Sequence, residues 1–158
     1  MEFKIKKFNE LTTEELYKIL KVRNEVFVVE QTCIYQDCDD KDYNSYHLYL
    51  EEENEVVGYL RIVNKGISYD EISIGRVLVK DTHRNKGLSR RMMLAAIKFV
   101  EEKLNSTEIR LSGQVYIKGF YESLGFKQVS EEYLEDDIPH VEMLYSYSSG
   151  NMDTFLKK

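Results

Sequence analysis

Residues 72–79 read ISIGRVLV, with a single charge, Arg76, among otherwise uncharged and mostly apolar residues. A run this apolar, of strand length, fits a strand buried on both faces; a half-exposed strand would alternate with polar residues. Such a strand calls for one sheet covered on both sides, and the flanking segments supply the cover. Residues 3–8 (FKIKKF) alternate as a short first strand. Thr12 and Glu15 form a T-x-x-E capping box, and Leu16, Ile19, Leu20, Arg23 and Phe27 follow on one helix face. The β-branched stretch 26–29 predicts that this helix ends or turns near Glu30. Residues 32–45 hold Asp37, Asp39, Asp40 and Asp42 without periodicity and read as a long surface loop.

Two strands follow, over residues 47–50 and 56–63, with a tight turn at Glu53 and Asn54. Leu88, Met92, Ala95, Ala96, Phe99, Val100 and Leu104 mark the longest amphipathic helix. Residues 109–111 form a short strand. Ile117, Phe120, Tyr121 and Leu124 mark a short helix stopped at Gly125. Residues 126–133 and 141–147 read as two last strands across an acidic turn. The expected order is β, α, three strands, α, β, α, β, β, a mixed α/β (α+β) arrangement. It fills a single domain over residues 1–147, with a patternless tail over 148–158. A chain of 158 residues buries roughly 70% of its unfolded surface and needs no staple.

The junction after the apolar run carries the chemistry. Residues 75–93 read GRVLVKDTHRNKGLSRRMM: a strand, a basic turn, Gly87 and a helix. Successive main-chain N–H groups at such a turn, together with the helix N-terminus, make a cradle suited to a pyrophosphate. From Arg76 to Arg91 the balance is +5, inside a chain whose net charge is −6. The acidic whole argues against nucleic acid and anionic membranes as partners. No apolar stretch nears the ~20 residues of a membrane span. Residues 1–8 lack the apolar core of a signal peptide. Cys33 and Cys38 have no second ligand pair at metal spacing, so the expectation is no metal and two reduced thiols in a cytoplasmic protein. Neither G-x-x-x-x-G-K-[S/T] nor G-x-G-x-x-G is present.

The R-N-K-G-L-S segment, Arg84 to Ser89, resembles the R/Q-x-x-G-x-G/A acyl-CoA loop of the GNAT N-acetyltransferase superfamily, with Ser89 where Gly or Ala is usual. F-Y-E-S-L-G-F at 120–126 resembles that superfamily's Y-x-x-x-G-F segment. VFVVEQTCIY at 26–35, IGRVLV at 74–79, Gln114, EDDIPH at 135–140 and Met143 are similar to its ElaA-like branch, with Asp137 where that branch usually has Gly. The resemblance runs from about Leu16 to Met143. It implies the GNAT acyl-CoA N-acyltransferase fold: a central, mostly antiparallel sheet with splayed strands and helices on both faces. It further implies that the main chain of Val77, Leu78 and Val79 holds the pantetheine arm of acetyl-CoA. The loop of Arg84, Asn85, Lys86, Gly87, Leu88 and Ser89 would hold its pyrophosphate. A homodimer is a common state in that superfamily.

The implied reaction is direct attack of a primary amine on the acetyl thioester. An alkylammonium, with a pKa near ~10.4, must lose a proton before it attacks. Glu30 and His47 are the leading candidates for that base, with Glu71, His140 or a water chain as alternatives. Tyr121 matches the tyrosine that protonates the leaving thiolate, and a phenol suits that task at neutral pH. Arg76, Gln114, Asp37 and His140 are expected on the acceptor side. Arg76 is expected to pair with an acid, because an unpaired charge in a buried strand is costly. Two acidic stretches, around 37–42 and 131–137, would favour a cationic small molecule or peptide as acceptor. A non-catalytic acyl-CoA-binding sensor is the competing expectation.

Overall fold

Alternation along the central strands sets the layering. In the computed structural model, which describes residues 2–147, strand β2 spans Ser45–Glu52 and β3 spans Glu55–Val63. Leu48, Leu50, Leu60 and Ile62 point to one face and pack with Met92, Met93, Ala96 and Val100 of helix α2 (Leu88–Glu102). Tyr49 and Tyr59 point to the other face and pack with Ile19, Val22 and Val26. A period of two thus feeds two cores, one on each side of the sheet. The expected tail, 148–158, lies outside the described residues.

The sheet begins with β1 (Lys4–Lys7) and continues through β2, β3 and β4 (Ile72–Val79). It then passes to β5 (Glu108–Gln114) and, beyond it, β8 (Ile138–Ser146). Two short strands, β6 (Lys127–Gln128) and β7 (Tyr133–Glu135), both pair with β8. Every pairing is antiparallel except β4 with β5. Helix α1 (Thr13–Arg23) starts at the capping box: Thr12 Oγ1 accepts from the Glu15 amide at 3.1 Å, and Glu15 Oε1 accepts from the Thr12 amide at 2.9 Å. Helix α3 (Lys118–Ser123) follows β5.

One expectation holds and one needs correction. The first helix ends at Glu30 as expected, its last stretch widening into a π-helical segment, Asn24–Glu30. There Val26 is buried and Glu30 is carried to the rim. The expected strand over 126–133 is broken into β6 and β7. Between them the Val129 amide donates to Glu142 O at 2.9 Å, and the Ser130 hydroxyl takes the place of a main-chain acceptor, accepting from the Glu142 amide at 2.8 Å. The β7–β8 hairpin turns on two residues, Asp136 (φ 51°) and Asp137 (φ 62°). Both occupy the left-handed region, so the turn that usually employs glycine is made by two aspartates, which tolerate that region better than most residues.

Candidate active site

Strand β4 contains one residue too many for its partner. Tyr59 pairs with Leu78 and Arg61 with Gly75, so Arg76 and Val77 together face Leu60. The extra residue is a β-bulge, with Arg76 at φ 52°. Ile72, Ile74 and Val79 consequently join the α2-side core, while Leu78 joins the α1-side core. On its other edge β4 pairs with β5 only at Ile72–Ile109 and Ser73–Arg110. Beyond that point the strands part, and β5 continues against β8. The Lys80 amide donates to Val57 O at 2.8 Å, toward β3. Alternation therefore turns the main chain of Val79 and Val77 toward the gap.

The gap opens into two cavities of about 440 and 760 Å³ with shared walls at Phe27, Val77, Ile117 and Tyr121. Tyr121 sits at that junction, 6% exposed. Its ring packs on Gly113 so closely that a Cβ there would lie 3.0 Å from Cε2. Burial pushes its pKa up to about 12, and the neighbouring Tyr116 adds to the shift. The hydroxyl is therefore protonated at neutral pH, and among the described residues no group hydrogen-bonds to it.

The larger cavity is walled by the basic turn. Asn85 (φ 64°) and Gly87 (φ 72°) both adopt left-handed conformations. Gly87 caps α2 without a side-chain hydrogen bond, so the first N–H groups of the helix meet no capping group. That combination presents main-chain donors and a helix dipole to an anion. Arg84, Asn85, Gly87, Leu88 and Ser89 line this cavity; Lys86 is exposed outside it. The smaller cavity lies on the opposite side, between β4 and the β7–β8 hairpin, and includes Arg76, Gln114 and His140. His140 Nδ1 lies 2.7 Å from Ile138 O and Nε2 lies 3.2 Å from Glu135, while its ring stacks on Tyr133.

The model of the acetyltransferase (GNAT) domain matches residues 9–147. The chain belongs to the GNAT acetyltransferase family. Among its relatives, a UPF0039 protein of Schizosaccharomyces pombe is 41% identical, covering 90% of this chain and 95% of that protein. ElaA of Escherichia coli is 34% identical over 85% of this chain and 90% of its own. The crystal structure of a Pseudomonas aeruginosa acyl-CoA N-acyltransferase superposes with a TM-score of 0.88 at 36% identity, covering 92% of this chain and all of that one. The crystal structure of Escherichia coli ElaA gives 0.85 at 32% identity, with the same coverage. This GNAT protein is thus an acyl-CoA-dependent N-acyltransferase with the family fold. No helix among the described residues is long and apolar enough to cross a membrane.

Within the GNAT frame, several expected site residues sit elsewhere. His47 is not in the cleft. It is 0% exposed, with Nδ1 2.7 Å from the Tyr59 hydroxyl and Nε2 3.0 Å from Asp42 O. Desolvation lowers its pKa, so it is a neutral core histidine. Glu30 does reach the rim of the larger cavity, but both its oxygens accept from the Arg84 guanidinium. Those bonds hold its carboxylate below the ordinary range and leave it a poor base. Arg84 also donates from Nε to Val79 O at 2.9 Å. Glu71 is bound by Arg110 at 3.0 and 2.8 Å, away from either cavity.

Asp37 does not face the acceptor cavity. It is buried behind the wall, where Arg23 Nε donates to Oδ2 at 2.9 Å and Arg76 Nε lies 2.8 Å from Oδ1. The acidic loop is therefore no free acidic rim. Arg23, 0% exposed, also binds Asp42 at 2.7 Å, and Arg61, 4% exposed, binds Asp39 and Asp42 at 2.7 and 3.0 Å. Burial works against Asp39 and Asp42, yet these arginines keep both pKa values lowered. Arg23 and Arg61 escaped the sequence reading of the site. Their signal was a charge inside an apolar helix face and inside VVGYLRIV (56–63), each of which demands a buried counter-ion.

Proposed function

We propose that the protein is an N-acetyltransferase that moves the acetyl group of acetyl-CoA to a primary amine by direct attack on the thioester. The observation that carries this reading is Tyr121: a protonated phenol, without a hydrogen-bond partner among the described residues, at the point where the larger and smaller cavities meet. Acetyl-CoA lies in the larger cavity, its pantetheine arm along the main chain of Val77, Leu78 and Val79. Its pyrophosphate is held by the N–H groups from Arg84 to Ser89. The amine enters from the smaller cavity. Its nitrogen bonds to the carbonyl carbon, and a main-chain N–H at the bulge steadies the oxyanion. The C–S bond then breaks, and the Tyr121 proton passes to the CoA thiolate. The tyrosinate regains a proton from solvent.

The base is assigned to neither Glu30 nor His47. The ammonium proton leaves through water on the acceptor side, where Glu135 and His140 form the titratable pair on the cavity wall. Glu135 and Asp136 also favour a cationic amine there; the acids at 37–42, matched by arginines, do not. The acetyl group as donor fits the description of the matching domain. Free Cys33 and Cys38 fit a reducing, cytoplasmic setting. The experiment is release of free thiol from acetyl-CoA across a panel of polyamines, amino sugars, amino acids and peptides. Amine-dependent release that collapses in Tyr121→Phe is the expected result. Absence of release with every amine, or a fully active Tyr121→Phe, overturns the reading.

A further inference from the structure

The two walls of the acceptor cavity carry opposite charge. On the β4 side, Arg23, Arg61 and Arg76 meet Asp37, Asp39 and Asp42, three cations against three anions. Lys41 lines the same wall, and its ammonium forms no ion pair among the described residues. Arg76 adds a second donor. Its Nε and Nη2 engage Asp37 and Asp39, whereas Nη1 has no partner among the described residues. The Tyr35 ring, 5.6 Å from the guanidinium carbon, fixes its position. A left-handed arginine inside a strand costs about 1–2 kcal/mol, and the result is a guanidinium on the cavity wall. The opposite wall, at the β7–β8 turn, presents Glu135 and Asp136.

A simple amine would satisfy only the hairpin wall and leave the cationic wall unmatched. We propose that the acceptor is an amino acid or a molecule of that type, whose carboxylate binds Lys41 and Nη1 of Arg76 while its reacting ammonium turns toward Glu135 and Asp136. This proposal rests on the acetyltransfer reading above and narrows its acceptor class. Charge-assisted hydrogen bonds from a guanidinium and an ammonium are the strong ones available to a carboxylate. They also set the orientation of the amine before attack.

The test uses calorimetric binding to the CoA-saturated enzyme, run beside thiol release from acetyl-CoA. The probes are glycine, β-alanine, γ-aminobutyrate and lysine, each against its decarboxylated amine. The best amino acid is expected to bind at least about tenfold tighter than its amine. In Lys41→Met, with thermal unfolding as the check on folding, that advantage is expected to fall below about threefold. Equal or weaker binding by every amino acid, or an advantage that survives in Lys41→Met, overturns the proposal. Selective binding with no thiol release keeps the acceptor class and removes the catalytic reading. Thiol release with amines and amino acids of equal affinity keeps the catalytic reading and removes the acceptor class.

Discussion

Two polar loops flank the same strand, and they handle charge in opposite ways. The loop at 37–42 is acidic, and its three network carboxylates are bound by Arg23, Arg61 and Arg76, two of which are almost fully buried. The loop at 84–89 is basic, and its donors are main-chain N–H groups left uncapped in front of a cavity. In the first, like numbers of opposite charges close on each other and the result is architecture. In the second, unmatched polarity remains for a ligand. The contrast teaches that a run of charge in a sequence says little until its partners are known; the loop that looked like a receptor for cations is internal scaffolding.

The sharpest way to break this contrast is to unmatch the matched loop. Arg23→Met leaves Asp37 and Asp42 buried without their principal cation, and is expected to cost about 3–5 kcal/mol, read by chemical denaturation. Loss of under about 1 kcal/mol would mean that the loop is not scaffolding. Next in size is the residue between the two cavities. Tyr121→Phe is expected to lower kcat by about a hundredfold, with KM for acetyl-CoA changed by less than about threefold.

The open loop is probed by Gly87→Val, which strains a left-handed position and crowds the N–H groups. KM for acetyl-CoA is expected to rise about tenfold, with at most about 2 kcal/mol lost in stability. Acid separates the loops too. Asp39 and Asp42 have lowered folded pKa values, and so has Glu15, held at about 2 by Thr12, Tyr49 and Lys6 against the effect of burial. Their contribution is complete above the ordinary carboxylate pKa near ~4 and is lost as pH falls through the folded values. The carboxylate share of stability should thus decline from about pH 4 toward pH 2, while His47, buried and neutral with its folded pKa lowered, adds a loss of its own as pH falls below about 6.5, both read as thermal midpoints. The smallest effect is expected of Glu30→Gln. The Glu30–Arg84 pair is more than a third exposed, so solvent screening limits its loss to a few tenths of a kcal/mol. A drop in kcat beyond about fivefold would restore Glu30 as the base.

Local signals were legible in the sequence. The Thr12–Glu15 box, the apolar run at 72–79 and the helix after Gly87 each depend on residues a few positions apart, and each is realised. What escaped depends on distance along the chain. Arg23 reaches Asp37 across 14 positions and Arg76 reaches Asp39 across 37, and hydropathy treats all four as solvent-loving. His47 looked available because it begins a strand beside a polar loop; only the packing of Tyr59 and Asp42 against it removes it from the chemistry. The left-handed turn at Asn85 and Gly87, the loop proposed to hold acyl-CoA, was readable because backbone geometry, which glycine signals, defines it.

The extra residue in β4 acts as a frameshift written in space. Up to Gly75 even-numbered residues address the α2 side; after Val77 the odd-numbered ones do, as Ile74 and Val79 show by sharing a core from which Leu78 is excluded. A strand of the same length run straight through Arg76, with no bulge, would exchange the addresses of Leu78 and Val79 and turn the main chain of Val77 and Val79 toward β3 instead of the gap. The cleft is thus encoded by a count: one residue more than the neighbouring strand requires.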